Sequence, residues 1–237
     1  MKFPIPNLYT YSEVVNPKWL IIFVHWLTSS QDEEMFVQWE NFFNENWFST
    51  LRFNLYGDWP EERKLNEIWL QDNIDDVNSV LEFCSRLWYE SIFLVWHSYG
   101  WIVNLYANLS NITWLLMWDS SIWWKWLLED VYEDWNWWHY INWWDWIKYP
   151  IGEKLYEDFQ IPSERFLEKI SEIRIPVKIF WAENWLSEVA KKYYEYANEP
   201  KELNIISWAD HRFLDWWMEE LFYETLNWIE NILLPNS

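Results

Sequence analysis

Short apolar runs alternate with segments of helical period along nearly the whole chain, and that alternation leaves few folds open. Runs at about 19–24 (WLIIFV), 49–54 (STLRFN), 91–95 (SIFLV), 112–118 (ITWLLMW), 176–181 (PVKIFW) and 202–207 (ELNIIS) read as strands. Most are apolar throughout rather than alternating with polar residues, which suits strands covered on both faces. Between them, 32–46, 69–87, 99–109, 186–197 and 216–233 carry apolar residues three or four apart, the spacing of a helix with one buried stripe. Strands and helices in turn predict the α/β class, with a mostly parallel sheet flanked by helices. Within 70–87, Ile74, Val77, Leu81 and Cys84 share a stripe while Asp72, Asp75, Asp76 and Glu82 lie largely elsewhere. Cys84 therefore reads as a packing residue rather than a nucleophile.

A length of 237 residues suits a single domain over 1–237. The alternation breaks once, between about 121 and 170. That stretch is too long for an ordinary connection and follows a strand directly, so it reads as a small cap or lid insertion. Its segment YINWWDWIKYPIGEKLYEDF looks like a hairpin or turn followed by a short helix.

Composition adds an anomaly that bears on every motif: the chain has 26 Trp and 3 Gly, where glycine is ordinarily about 7% of residues. Trp47 follows NEN and Trp88 follows SRL, both at expected helix ends. A helix end or tight turn calls for a left-handed residue, which glycine supplies without steric cost. Tryptophan thus stands in many of the places where glycine is called for. A naturally tryptophan-rich sugar- or base-stacking module would instead place a few such residues on one face.

The 17 Lys and Arg against 38 Asp and Glu give a formal charge of -21, which repels phosphate backbones and anionic lipid. Nucleic acid is not an expected partner. No apolar run reaches the roughly 18 to 20 residues that span a bilayer, so stable membrane insertion is not expected either. Cys84 is the one cysteine, which excludes an internal disulfide, and MKFPIPNLYTYSE lacks the basic and apolar regions of a secretory signal. A cytoplasmic protein is expected. No H-x-x-x-H, H-E-x-x-H or paired-cysteine spacing occurs, so no metal and no cofactor are implied.

Three segments carry candidate chemistry. In SIFLVWHSYGW an apolar strand runs straight into Ser98 and then a helical segment, with Gly100 two residues after the serine and Trp96 two before. This is the pattern strand, G-x-S-x-G, helix except for Trp96, and it makes Ser98 the candidate nucleophile. In IIFVHWLTSSQDE a strand ends in His25 and Trp26, and in IISWADHRFLD His211 lies between the last strand and the last helix. A neutral imidazole is the group a serine needs to take up its proton.

Over about residues 18–233 these motifs resemble the α/β-hydrolase superfamily, near small bacterial esterases, acylglycerol lipases and lysophospholipase-like hydrolases. The resemblance implies an α/β-hydrolase fold and a serine hydrolase acting on carboxylic esters through an acyl-serine, with a small-molecule ester as substrate. It makes Ser98 the nucleophile and His211 the base, and gives an oxyanion hole from the backbone N–H groups of Leu27 and Tyr99. The triad acid is left open. The family's usual position after PVKIFWAENW holds Asn184, with Glu183 beside it, whereas ITWLLMWDSS puts Asp119 at the end of the preceding strand. Asp119 is preferred to Glu183. Trp26, Trp96 and Trp101 stand where backbones approach or substrate must sit, so they are expected to obstruct the serine turn or the oxyanion hole. The competing reading is a non-catalytic binding protein on the same fold.

Overall fold

The computed structural model describes residues 2–15, 17–120, 128–133, 136–142, 147–185 and 187–233. Its centre is a seven-stranded sheet built from β1 (Tyr9–Ser12), β2 (Trp19–Val24), β3 (Ser49–Phe53), β4 (Ser91–His97), β5 (Trp114–Trp118), β9 (Val177–Ala182) and β10 (Lys201–Ile206). The spatial order is β1-β3-β2-β4-β5-β9-β10. Only β1 pairs antiparallel, against β3, and every other pairing is parallel.

Because side chains alternate across a strand, each buried strand feeds two cores at once. Leu20, Ile22 and Val24 of β2, with Leu94 and Trp96 of β4, face one core, and Ile21, Phe23, Phe93 and Val95 face the other. The first core is closed by α2 (Leu70–Cys84), α3 (Gly100–Leu105), α5 (Ser163–Ile170) and α6 (Ser187–Tyr196). The second is closed by α1 (Glu34–Glu45) and α7 (Trp216–Leu233). The stripe read in 70–87 is the buried face of α2, with Ile74, Val77, Leu81 and Cys84 inside. Burial pushes the Cys84 thiol up to about 12, which suits an inert packing residue.

The six expected strands are all present, each within two residues of its expected bounds. β1 is missing from the sequence reading because TYS at an exposed sheet edge has no apolar signature. Within 121–170, β6 (Leu128–Glu133), β7 (Asn136–Asn142) and β8 (Lys148–Ile151) form a separate antiparallel sheet. A short helix, α4 (Glu153–Asp158), follows β8 directly, and the Asp158 carboxylate accepts the Leu70 N–H at 2.7 Å. Residues 121–127, 134–135 and 143–146 of the expected insertion lie outside the described residues. Among the described residues no helix is long and apolar enough to cross a membrane.

Candidate active site

The loops leaving the C-terminal ends of β4, β5 and β10 carry Ser98, Asp119 and His211 to one place. Ser98 follows β4 at once, with φ 52°, in the left-handed region that a non-glycine residue enters only under constraint. Two contacts hold it there. Its N–H donates to the Trp118 carbonyl at 3.2 Å, and its own carbonyl accepts the Trp101 N–H at 3.3 Å as α3 begins. Gly100 permits the turn for a different reason: a Cβ there would lie 2.9 Å from the Val24 carbonyl oxygen and 3.0 Å from that of His25. Only glycine lets α3 start this close to the end of β2.

Asp119 follows β5 in the same way, with φ 43°. Its N–H donates to the Phe180 carbonyl at 2.8 Å, and its Oδ1 accepts the Ala182 N–H at 3.1 Å, so the neighbouring strand β9 fixes both its backbone and its carboxyl group. The other carboxylate oxygen meets Nδ1 of His211 in a short hydrogen bond. Nε2 of His211 lies 2.8 Å from Ser98 Oγ. With a carboxylate on Nδ1, the proton belongs on that nitrogen and Nε2 is left to accept from the serine hydroxyl. All three side chains are buried. Burial pushes the Asp119 carboxyl well up and the His211 imidazole down, because desolvation disfavours the charged form of each, and so favours a neutral imidazole.

The alternative acids take another part. Glu183 Oε2 accepts the Trp208 N–H at 2.9 Å, Asn184 Nδ2 donates to the Trp208 carbonyl at 2.8 Å, and the Asn184 N–H donates to Ala209 at 3.1 Å. Both therefore brace the loop that carries His211 instead of meeting its ring. Asp210 turns back onto the Arg212 N–H. His97, adjacent to the serine, holds the same loop through a hydrogen bond from Nε2 to the His211 carbonyl at 2.8 Å, and the Trp185 ring lies 4.8 Å from that of His211. His139 is elsewhere, on β7, stacked on Tyr156 and paired with Glu153.

Leu27 and Tyr99 each lie three residues beyond the paired Val24 and Trp96 of neighbouring parallel strands, at the same edge of the sheet as Ser98. A cleft of about 360 Å3 opens beside the first of these loops, lined in part by Thr28, Ser29, Glu33, Tyr56 and Tyr149.

The tryptophans near the serine turn depart from expectation. Trp96 and Trp101 are fully buried, and neither has a positive φ. The Trp96 indole donates to Ser120 Oγ at 3.1 Å, and Trp101 packs on Phe166 of α5 and Tyr193 of α6. Both side chains enter the core shared by α2, α3, α5 and α6 because β4 alternation and the first turn of α3 direct them there. Trp26 is half-buried, edge-on to Phe36 and His97. No local pattern marks Tyr56, Ala182 or Trp185 as neighbours of this site, since each reaches it through tertiary contact alone.

No family model matches the chain, and no curated protein matches it. Solved structures do. Est1E from Butyrivibrio proteoclasticus, with ferulic acid bound, superposes with a TM-score of 0.72 at 20% identity over 94% of this chain and 95% of that one. A monoacylglycerol lipase from Paleococcus ferrophilus gives 0.70 at 16% identity, covering 94% and 97%. The alpha/beta hydrolase domain-containing protein 10 from mouse gives 0.69 at 16% identity, covering 94% of each chain. With its parallel sheet, two helical layers and matching neighbours over nearly its whole length, this chain has the α/β-hydrolase fold.

Proposed function

We propose that this chain is a serine hydrolase that cleaves a small-molecule carboxylic ester through an acyl-serine intermediate. The observation that carries the reading is the His211 imidazole hydrogen-bonded on one side to Ser98 Oγ and on the other to the Asp119 carboxylate. In the first step Ser98 Oγ bonds to the ester carbonyl carbon while its proton passes to His211 Nε2. The negative charge then resides on the carbonyl oxygen, for which the Leu27 and Tyr99 N–H groups are the proposed donors. When the tetrahedral adduct collapses, the C–O bond to the alcohol breaks and the alcohol leaves with the proton from Nε2. Water repeats the sequence on the acyl-serine and releases a carboxylic acid. Asp119 holds the ring in the tautomer that this requires and offsets the imidazolium charge between the two proton transfers.

The esterases and the lipase among the structural neighbours agree with this reading at the level of fold. The short β6–β8 sheet and α4 are proposed to form the cap. The non-catalytic alternative rests on Asn184 in the family's acid position and on Trp96 in the serine turn; the Asp119 contact to His211 and the burial of Trp96 in the core weigh against it.

A fluorophosphonate probe together with p-nitrophenyl acetate tests the proposal. Stoichiometric labelling at Ser98 and hydrolysis abolished in Ser98→Ala are expected. A folded chain that neither labels nor hydrolyses is a binding protein, and the proposal fails.

A further inference from the structure

An oxyanion donor is useful only if its N–H is held in place before the charge develops. The Leu27 N–H belongs to the peptide whose carbonyl is that of Trp26. In a planar trans peptide the N–H and C=O point in opposite directions, so whatever grips the Trp26 oxygen also aims the Leu27 N–H. Several groups grip it. His25 Nδ1–H donates at 2.7 Å, the Ser29 N–H donates at 3.3 Å, and the Tyr56 hydroxyl donates at 3.4 Å. The His25 tautomer is fixed by its other nitrogen, because Nε2 accepts the Leu55 N–H at 3.0 Å.

Tyr56 also acts on the other side of Leu27. Its oxygen accepts the Thr28 N–H at 2.6 Å, so one phenol spans the peptides before and after Leu27. Thr28 is held at φ 63°, a conformation a β-branched residue rarely adopts, and the tyrosine contact offsets that strain. Tyr56 and His25 are both buried, with their rings edge to face at 5.4 Å. The equivalent Tyr99 peptide needs no such clamp, because the Ser98 carbonyl is already engaged by the start of α3.

We infer that Tyr56, with His25, is a positioning residue that clamps the loop after β2 so that the Leu27 N–H is preset for the oxyanion. The inference rests on the serine-hydrolase reading and extends it to a residue in the loop after β3. Neither residue touches the reacting atoms. Removing the phenol hydroxyl loosens a donor that matters most in the transition state, so the loss belongs in kcat rather than KM.

The test is Tyr56→Phe in the full chain, assayed with p-nitrophenyl acetate and with a trifluoromethyl ketone that forms a hemiketal on the serine. A kcat about tenfold to a hundredfold lower is expected, below the full cost of deleting an oxyanion donor, with KM within about twofold. The trifluoromethyl ketone should weaken by the same factor as kcat/KM. His25→Asn, which keeps a side-chain donor, should retain more activity than His25→Leu. Melting temperature and the circular dichroism spectrum identify any variant that has not folded, and the His25 pair then serves as the second line of evidence. Unchanged kcat in a folded Tyr56→Phe enzyme overturns the clamp, as does a lower kcat with unaltered affinity for the ketone. A folded parent chain that hydrolyses no faster than Ser98→Ala overturns the hydrolase reading itself, and the clamp's catalytic role falls with it.

Discussion

Two groups of residues share the left-handed backbone conformation and differ in surroundings. Thr28, Ser98 and Asp119 have φ between 43° and 63° and sit in loops beyond the C-terminal edge of the sheet, where hydrogen bonds hold each one. Trp47, Trp88 and Trp208 have φ between 63° and 69° and are largely exposed. Trp47 shows the second group most plainly. Its N–H donates to Asn44 at 3.2 Å and the Phe48 N–H donates to Phe43 at 3.0 Å, the two bonds of a Schellman motif whose left-handed position is ordinarily glycine. Strain in the first group falls on Ser98 and Asp119, which are proposed to react, and on Thr28 beside the proposed oxyanion donor, while strain at Trp47 and Trp88 accompanies no contact with the site and Trp208 reaches it only through the histidine loop. The comparison teaches that an unusual φ points to function only where the surrounding structure also fixes the side chain.

Ser98→Gly gives the sharpest break between the groups. Activity should fall by at least about a thousandfold, as when a catalytic serine is lost, while relief of φ 52° should stabilise the fold by about 1 kcal/mol. Asp119→Asn and His211→Ala should lower kcat by a comparable order without that stabilisation. Activity assays beside thermal melts check both halves, and a Ser98→Gly variant less stable than Ser98→Ala, which loses the same hydroxyl, would show that the turn is not strained.

Buried tryptophans should behave oppositely to those in turns. Trp96→Gly or Trp101→Gly removes an indole from the core and leaves a cavity, costing about 3 to 5 kcal/mol and lowering the melting temperature. Stabilisation at either position would mean that the indole is forced into its site instead of filling it.

The pH profile probes the buried group. Neutral His211 is the proposed base, so activity is lost as pH falls through its pKa. Burial lowers that pKa, Asp210 raises it and Arg212 lowers it. The acid limb of kcat/KM should therefore lie below 6.5, the ordinary histidine value. A limb above that value would mean the Asp119 charge outweighs burial.

The smallest effects belong to the exposed turns. Trp47→Gly, Trp88→Gly and Trp208→Gly should each stabilise by about 1 kcal/mol, with kcat unchanged at the first two. Trp208 touches Glu183 and Asn184, so a change in kcat there would show that bracing of the histidine loop reaches the site.

Local rules were enough for part of this molecule. Apolar runs and helical period marked the strands that make the parallel sheet, because burial on both faces writes itself into consecutive residues. Helix-end spacing likewise marked Trp47 and Trp88 as glycine-like positions, since a helix C-terminus imposes its φ locally. The serine turn and the histidine loop were legible as motifs on either side of predicted strands. The acid was legible only in part: its place at the end of a predicted strand favoured Asp119 over Glu183, but these lie far apart in sequence and only the β5–β9–β10 order brings Asp119 to the His211 ring. The fate of Trp96 and Trp101 was equally hidden: the sequence showed bulk at a crowded turn, but strand alternation and helices packed from elsewhere in the chain decided that the bulk lies in the core. Tyr56 gave no sequence signal at all, since a tyrosine after β3 becomes a clamp only when β2 and β3 pair and bring its hydroxyl against the loop that holds Leu27.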